Sequence, residues 1–198
     1  MNLANKLTIF RIILVPIMII IPFLGIQGEL AGVTITCIVL DLIFIVASIT
    51  DKLDGYIARS RNQITNFGKF LDPIADKVLV VTAMIMLVEM GRLPSWIPSI
   101  VVFREFIVSG YRLIAVQSKG EVIAASIWGK LKTVTQMIAI ILAFIDVNAY
   151  GDFVRGGLTG VSLGLNIVTT VLMTISVIAT IFSGWDYIKN GKYLFKDK

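Results

Sequence analysis

Long runs of apolar residues alternate with short polar segments along the chain. Each run spans about 20 residues, which is enough for a helix to cross a hydrocarbon core of ~30 Å. There are six of them, at approximately residues 7–27, 31–50, 71–90, 96–117, 124–146 and 158–184. The segments between the runs are too short for a separate soluble domain. The pattern therefore predicts an all-α, polytopic membrane protein, a six-transmembrane-helix bundle in which residues 1–198 form a single membrane domain.

Basic residues are distributed unevenly between the loops. Fifteen of the 18 Lys and Arg residues fall at the termini or in and beside the even-numbered loops, whereas Arg92 and Arg155 lie in odd-numbered loops and Arg104 lies within the fourth run. Because positive residues are retained in the cytoplasm, we expect both termini and the segment 51–69 on that side. The net charge of +5 then reflects topology in a cell (plasma) membrane, and we expect membrane lipid and no nucleic acid as a partner.

Composition narrows the chemistry that this chain can perform. It contains no His, which excludes a Ser-His-Asp triad and His-ligated zinc. Its one Cys, Cys37, cannot form a disulfide within the chain. Any metal site must therefore use oxygen ligands, which favour hard cations such as Mg²⁺ or Mn²⁺.

Four Asp residues flank the polar segment that joins the second and third runs. Asp51 and Asp54 are spaced i, i+3, and Asp72 and Asp76 are spaced i, i+4. Each pair lies on one face if its segment is helical, and an antiparallel hairpin would bring the two faces together near the cytoplasmic boundary. Because four facing carboxylates repel one another, we expect them to bind one divalent cation or two.

Residues suited to a phosphate-bearing substrate accompany these acids. Gly55 and Ala58 remove side-chain bulk beside the carboxylates. Arg59 can pair with a phosphate, and Thr65 can donate a hydroxyl. The alternative, in which the acids form the solvated face of a cytoplasmic loop, explains a lone Asp better than two spaced pairs beside a membrane.

The segment 51–76 resembles the signature of the CDP-alcohol phosphatidyltransferase family, D-x2-D-G-x2-A-R-x8-G-x3-D-x3-D. All fixed positions are present, namely Asp51, Asp54, Gly55, Ala58, Arg59, Gly68, Asp72 and Asp76. The segment 5–11 is similar to the family's amino-terminal N-x-x-T-x-x-R segment. The residues from Arg104 to Arg112, followed by segment 128–133, resemble the branch of the family that accepts a glycerol phosphate.

This resemblance implies a fold, a reaction and a set of site residues. The family fold is a six-helix membrane bundle, usually a homodimer, with its metal site open to the cytoplasm. An acceptor hydroxyl attacks the phosphorus that carries the lipid of CDP-diacylglycerol, and CMP leaves. By resemblance, the ligands of two Mg²⁺ or Mn²⁺ ions would be Asp51, Asp54, Asp72 and Asp76, with Asp76 also the catalytic proton acceptor. The residues that contact the CDP-lipid would be Asn5, Thr8, Asp51, Gly55, Arg59 and Thr65.

A second group of basic residues bears on the identity of the acceptor. A phosphate of the acceptor could bind to Arg104, Arg112, Lys130 and Lys132. The acceptor would then be glycerol 3-phosphate. Two points stay open: the lysines could simply mark the cytoplasmic end of the fifth run, and Glu105 beside Arg104 could form an internal ion pair or contact the substrate.

Three other functions are compatible with parts of this sequence. The same chemistry could use inositol phosphate, serine or a phospholipid as the acceptor. A cation transporter is a different class, but its ion site is expected near the membrane midplane, where only Asp41 lies. A scaffold that binds anionic lipid through its basic loops would leave the acidic pairs unexplained.

Overall fold

The computed structural model describes the backbone of residues 3–60, 66–117 and 127–190. Within these ranges it describes all side chains except those of residues 3–4, 52, 54–60, 66–70, 113, 115–117 and 190. Most of the described residues belong to α-helices: α1 (Leu3–Ile20), α2 (Ile35–Ser60), α3 (Asn66–Glu89), α4 (Trp96–Gln117), α5 (Ile127–Ile145) and α6 (Gly160–Asn190). The prediction of a helical protein is confirmed.

The connection between α1 and α2 contains local structure that the alternation of apolar and polar segments does not predict. It contains a 3-10 turn at Ile21–Leu24 and two short antiparallel strands, β1 (Glu29–Leu30) and β2 (Val33–Thr34). Ala31 and Gly32 join the strands with φ values of 54° and 80°. Two consecutive positive φ values fit the twist of a tight hairpin, and Gly at the second position adopts one without steric cost.

Both acidic pairs lie on helices, as the spacing predicts. Helix α2 continues from the second apolar run through Asp51 and Asp54. Helix α3 carries Asp72 and Asp76 at the beginning of the third run. Each pair therefore lies towards the end of a long helix whose other part is largely apolar.

Close contacts divide the chain into two units, Met1–Leu93 with Ile141–Ala149, and Pro94–Ile140 with Tyr150–Lys198. Helix α5 contributes to both units. The expectation of a single domain over residues 1–198 stays a prediction. In the first unit α1 packs against α2 and α3 around fully buried side chains that include Met18, Leu40, Phe44, Leu79 and Met84.

Arg92 has a structural role in the first unit. Its side chain is buried, and Nη1 donates hydrogen bonds to the carbonyl oxygens of Ala143 at 3.2 Å and Phe144 at 2.6 Å. These carbonyls belong to the last turn of α5, where the helix dipole is negative and the carbonyls lack partners within the helix. The position of Arg92 in an odd-numbered loop is therefore explained by its capping of the carboxyl end of α5.

In the second unit α4 packs against α6. The segment before α6 is attached to the same helix by side-chain hydrogen bonds: Tyr150 Oη to Thr174 Oγ1 at 2.7 Å, the Gly151 amide to Thr170 Oγ1 at 3.1 Å and the Phe153 amide to Asn166 Oδ1 at 2.9 Å. The acceptors recur every four residues, so they share one face of α6. α6 therefore carries a polar face on its amino-terminal half.

Three of the described helical segments are long and apolar enough to cross a membrane: Asn5–Leu24, Ile127–Ile145 and Gly160–Lys189. The other three predicted spans fall on α2, α3 and α4, which carry more charged residues within their length. These three helices indicate a membrane protein, and the presence of six spans remains a prediction.

Candidate active site

A buried polar face on α1 belongs to the candidate acidic site of the first unit. Asn5, Thr8 and Arg11 are spaced three residues apart, and all three are buried in a largely apolar helix. Arg11 has no exposed side-chain surface. Burial of a guanidinium is costly unless it is paired, so this face must meet acidic partners.

Those partners come from the two helices with the acidic pairs. Arg11 Nη1 lies 2.7 Å from Asp51 Oδ1 on α2. The Thr8 hydroxyl donates a hydrogen bond of 2.7 Å to Asp72 Oδ1 on α3. Consecutive turns of α1 therefore hold one carboxylate from each acidic pair.

The remaining predicted residues of this site are described less fully. Asp76 is partly buried one turn after Asp72, on the same helix. Asp54, Gly55 and Arg59 lie within α2, but their side chains are outside the description, and Thr65 lies outside the described residues altogether. Among the side chains described, no three acidic or sulfur ligands are grouped closely enough to hold a metal ion.

The donor chemistry nevertheless fits a hard divalent cation. The predicted ligands are all carboxylates, and the chain has no His. A carboxylate has about four lone-pair sites on its two oxygens, so the Thr8 hydrogen bond to Oδ1 of Asp72 leaves acceptor capacity on that side chain. Asp51 keeps 34% of its side chain exposed while Arg11 orients it. If Asp51 and Asp72 bind a metal ion, Arg11 and Thr8 would be the neighbouring groups that orient these carboxylates.

The second unit contains a cavity of its own, which we call the cationic cavity. It has a volume of about 530 Å³ and is lined by Arg104, Arg112, Gly129, Lys130, Thr133, Val134 and Tyr187. Three of the four basic residues singled out from the sequence therefore line one space. A cavity with three positive side chains and a hydroxyl suits a phosphate group.

The fourth basic residue, Lys132, does not line this cavity. Its ammonium group pairs with Glu105 Oε1, and its side chain is only 9% exposed. Glu105 Oε1 also accepts a hydrogen bond of 2.8 Å from Arg104 Nη1. The open question about Glu105 is therefore answered in favour of an internal ion pair, which it makes with both cations.

Tyr187 is a component that the sequence reasoning missed. It is 2% exposed, and its hydroxyl accepts a hydrogen bond of 2.7 Å from Arg112 Nη2. The guanidinium carbons of Arg104 and Arg112 lie 5.8 Å and 5.5 Å from the centre of its ring. One aromatic ring thus contacts both arginines of the cavity, an arrangement stabilised by cation–π attraction.

A signal for Tyr187 is visible in the sequence in hindsight. Ser176, Thr180, Ser183 and Tyr187 recur every three or four residues along α6, and all four are buried. A stripe of polar residues at helical spacing in an apolar helix indicates a face that packs against other polar groups. Ser183 on this stripe accepts a hydrogen bond from Arg104 Nη2.

The fold is that of a helical membrane protein, and its paired aspartates and cationic cavity suit substrates that carry phosphates. The chain belongs to the CDP-alcohol phosphatidyltransferase family, whose model matches residues 1–182. The amino-terminal polar face, both acidic pairs and the cationic side chains of the cavity all fall within this match.

Similar curated proteins carry a more specific name. A protein of Bacillus subtilis called CDP-diacylglycerol–glycerol-3-phosphate 3-phosphatidyltransferase is 40% identical over 195 residues, covering 96% of this chain and 95% of that one. A protein of the same name from Haemophilus influenzae is 38% identical, with 96% and 94% covered. A third, from Rickettsia typhi, is 36% identical, with 98% and 99% covered.

Proposed function

We propose that this protein is an integral membrane enzyme that transfers the phosphatidyl group of CDP-diacylglycerol to glycerol 3-phosphate, giving phosphatidylglycerophosphate and CMP. The observation that carries the proposal is the cationic cavity, because it gathers Arg104, Arg112 and Lys130 in a protein of this family. An acceptor with a phosphate of its own is what such a cavity would select. The names of the full-length relatives support the same acceptor.

In this proposal the acidic site performs the displacement at phosphorus. A hydroxyl oxygen of glycerol 3-phosphate forms a bond to the phosphorus that bears diacylglycerol, and the bond from that phosphorus to the CMP oxygen breaks. Asp76 accepts the hydroxyl proton. Divalent ions held by Asp51, Asp54, Asp72 and Asp76 would neutralise the charge that grows on CMP as it leaves.

The residues around these acids have supporting roles in the proposal. Arg11 and Thr8 orient Asp51 and Asp72 through the contacts described above. Asn5 on the same face, together with Gly55, Arg59 and Thr65, would contact the CDP-lipid. Their assignment rests on the resemblance to the family rather than on contacts.

The cationic cavity would fix the acceptor through its phosphate. Arg112 and Lys130 are exposed residues that line the cavity, whereas Arg104 is 12% exposed and already engaged with Glu105 and Ser183. The exposed pair can therefore approach an incoming phosphate with little rearrangement, and Arg104 adds positive charge at a fixed place. Serine and other acceptors without a phosphomonoester would leave this charge unpaired.

The proposal is tested by measuring CMP release from CDP-diacylglycerol by the purified protein in mixed micelles. Glycerol 3-phosphate should give rapid release that a chelator of divalent ions stops and that added Mg²⁺ or Mn²⁺ restores. Inositol phosphate, serine and phosphatidylglycerol serve as the competing acceptors. Release with one of these but not with glycerol 3-phosphate would overturn the assignment of the acceptor. Ion flux in liposomes without CDP-lipid would overturn the enzyme class.

We also propose that the protein is a homodimer in the cell membrane, with six spans and with both termini and the active site in the cytoplasm. The asymmetry of basic residues supports this orientation. Reporter fusions to the carboxyl terminus and to the loop 91–94 should report opposite sides of the membrane. Light scattering of the detergent-solubilised protein measures the number of copies, and one copy would overturn the dimer.

A further inference from the structure

The second unit contains another cavity, which we call the apolar groove. It lies between α4 and α6 and has a volume of about 570 Å³, within the range of ligand sites. Its apolar lining includes Ile100, Phe103, Ile107, Ile181, Trp185 and Ile188. Phe103 and Trp185 are well exposed, so the groove is open to its surroundings.

The two hydroxyl-bearing residues of the groove do not make it polar. Ser99 donates its hydroxyl to the carbonyl of Ser95, and Thr180 donates its hydroxyl to the carbonyl of Ser176. The Ser99 bond is made to the residue that precedes α4, and the Thr180 bond lies within α6. The groove therefore offers hydrocarbon to a ligand, and it follows α6 from Thr180 to Ile188, a length of about 12 Å at the helical rise. This part of α6 belongs to a segment apolar enough to cross a membrane.

Arg104 lines both the apolar groove and the cationic cavity. Its Cγ lies 3.4 Å from the position that a Cβ on Gly184 would occupy, so its aliphatic stem packs closely against α6. Its guanidinium contacts Glu105, Ser183 and the Tyr187 ring. Its Nε is buried and makes no hydrogen bond, which leaves one donor of this side chain unsatisfied. Arg104 therefore places a positive charge beside both spaces.

We propose that the cationic cavity and the apolar groove together bind a membrane lipid that ends in a phosphomonoester, with the phosphate in the cavity and one acyl chain in the groove. The chemical class is an acylglycerol phosphate such as lysophosphatidate, which is glycerol 3-phosphate with one hydroxyl acylated. Its headgroup matches the positive charge of Arg104, Arg112 and Lys130, and its chain matches the hydrocarbon lining.

The proposal predicts a regulatory effect, and that effect rests on the proposed function. Because the lipid phosphate would occupy the acceptor's place, lysophosphatidate should compete with glycerol 3-phosphate and not with CDP-diacylglycerol. An enzyme of this kind would slow when single-chain lipid phosphates accumulate in the membrane.

The test measures inhibition of CMP release in micelles at a fixed CDP-diacylglycerol fraction. Oleoyl lysophosphatidate should raise the KM for glycerol 3-phosphate, with an inhibition constant roughly tenfold or more below that of inorganic phosphate, because chain burial adds to the phosphate contact. Lysophosphatidylcholine has a similar chain without the phosphomonoester, and monooleoylglycerol lacks the phosphate. Equal inhibition by either of these lipids would show that inhibition is an effect on the micelle, and it would overturn the proposal.

Two matched substitutions on α6 test the groove itself. Ile181→Trp fills the groove, and Ile178→Trp places the same side chain at an exposed position of α6 outside the groove lining. Ile181→Trp should raise the ratio of the inhibition constant of lysophosphatidate to that of inorganic phosphate about tenfold, and Ile178→Trp should leave this ratio unchanged. If Ile181→Trp leaves the ratio unchanged but converts a dimer to a monomer, the groove is a contact between copies and the proposal fails.

A measurement on the unaltered protein keeps the proposal falsifiable if Ile181→Trp does not fold. Lysophosphatidate with a photoreactive group on its chain should label residues 99–107 or 180–188, and excess glycerol 3-phosphate should reduce the labelling. Labelling elsewhere, or labelling that glycerol 3-phosphate does not reduce, would overturn it. If glycerol 3-phosphate releases no CMP but still displaces the label, the proposed function fails and the lipid site stands.

Discussion

The guanidinium of Arg11 on α1 lies 2.7 Å from the Asp51 carboxylate on α2, and the arginine side chain is fully buried while the aspartate remains 34% exposed. The pair therefore joins the interior of the first unit to the acidic site. One turn earlier, Thr8 makes the corresponding contact to Asp72 on α3. The amino-terminal helix thus determines where two of the four carboxylates stand.

The first prediction concerns the charge of Arg11. Arg11→Met should lower the midpoint of thermal unfolding, by an amount equivalent to about 1–3 kcal/mol, because Asp51 loses its partner but keeps partial access to water. Arg11→Lys should retain most of the stability but lower kcat/KM about 10–100-fold, because a point charge does not hold the carboxylate as a guanidinium does. Unfolding followed by intrinsic fluorescence in detergent, and CMP release, measure the two effects. Wild-type activity in Arg11→Lys would contradict the orienting role.

The second prediction concerns the hydroxyl of Thr8. Thr8→Val removes the hydrogen bond to Asp72 while keeping the size and shape of the side chain. We expect the concentration of Mg²⁺ that gives half-maximal CMP release to rise about 10–100-fold, since the partners of ligating carboxylates affect metal affinity by this much. Thr8→Ser restores a hydroxyl and should recover most of the affinity. An unchanged Mg²⁺ titration in Thr8→Val would show that the hydrogen bond is structural only.

The third prediction separates the Tyr187 hydroxyl from its ring. Tyr187→Phe removes the acceptor of the 2.7 Å bond from Arg112 but leaves the ring beside both guanidiniums. The KM for glycerol 3-phosphate should rise about 2–12-fold, the equivalent of one ordinary hydrogen bond, while the KM for CDP-diacylglycerol stays unchanged. Tyr150→Phe is the matched control, because the Tyr150 hydroxyl also forms a 2.7 Å bond, to Thr174, but does not line the cavity. A similar change of KM in both variants would refute the specific role.

The fourth prediction distinguishes two lysines that the sequence treats alike. Lys130 is exposed and lines the cationic cavity, so Lys130→Ala should raise the KM for glycerol 3-phosphate about tenfold with little effect on stability. Lys132 is buried and paired with Glu105, so Lys132→Ala should destabilise the protein by about 2–4 kcal/mol. Kinetics and thermal unfolding of both variants decide this. The reverse pattern would show that Lys132 contacts the acceptor and that Lys130 does not.

Much of the fold could be predicted from the sequence because it follows from local pattern. The apolar runs and the spacing within each Asp pair depend on helical periodicity alone, and α2 and α3 carry the pairs as expected. The hairpin at β1 and β2 was not predicted, because a single Gly32 in a short loop gives little indication of strand pairing. Burial of Arg11 and Arg92 was also not predicted, because their partners lie on other helices.

In the candidate site, too, local spacing could be predicted from the sequence and contacts between helices could not. Arg104 and Arg112 are eight residues apart on one helix, and their shared side could be deduced from helical geometry. Glu105 joins Arg104 to Lys132 on another helix, and Tyr187 approaches from a third. Such contacts depend on how helices pack, which the spacing of residues along one helix does not determine. The difference between Lys130 and Lys132 arises in this way.

The fifth prediction concerns Asp76, the proposed proton acceptor. Asp76→Asn preserves the size of the side chain but removes both its charge and its ability to take a proton, so kcat should fall by about 10²–10⁴-fold or more. Asp152→Asn is the control: Asp152 forms an exposed ion pair with Arg155, which contributes little to stability, and this variant should retain wild-type turnover. Thermal unfolding and binding of CDP-diacylglycerol to Asp76→Asn should remain close to those of the unaltered protein, which separates loss of chemistry from loss of structure. Turnover by Asp76→Asn within about tenfold of the unaltered protein would contradict its role, because proton transfer to this carboxylate would then contribute little to the rate.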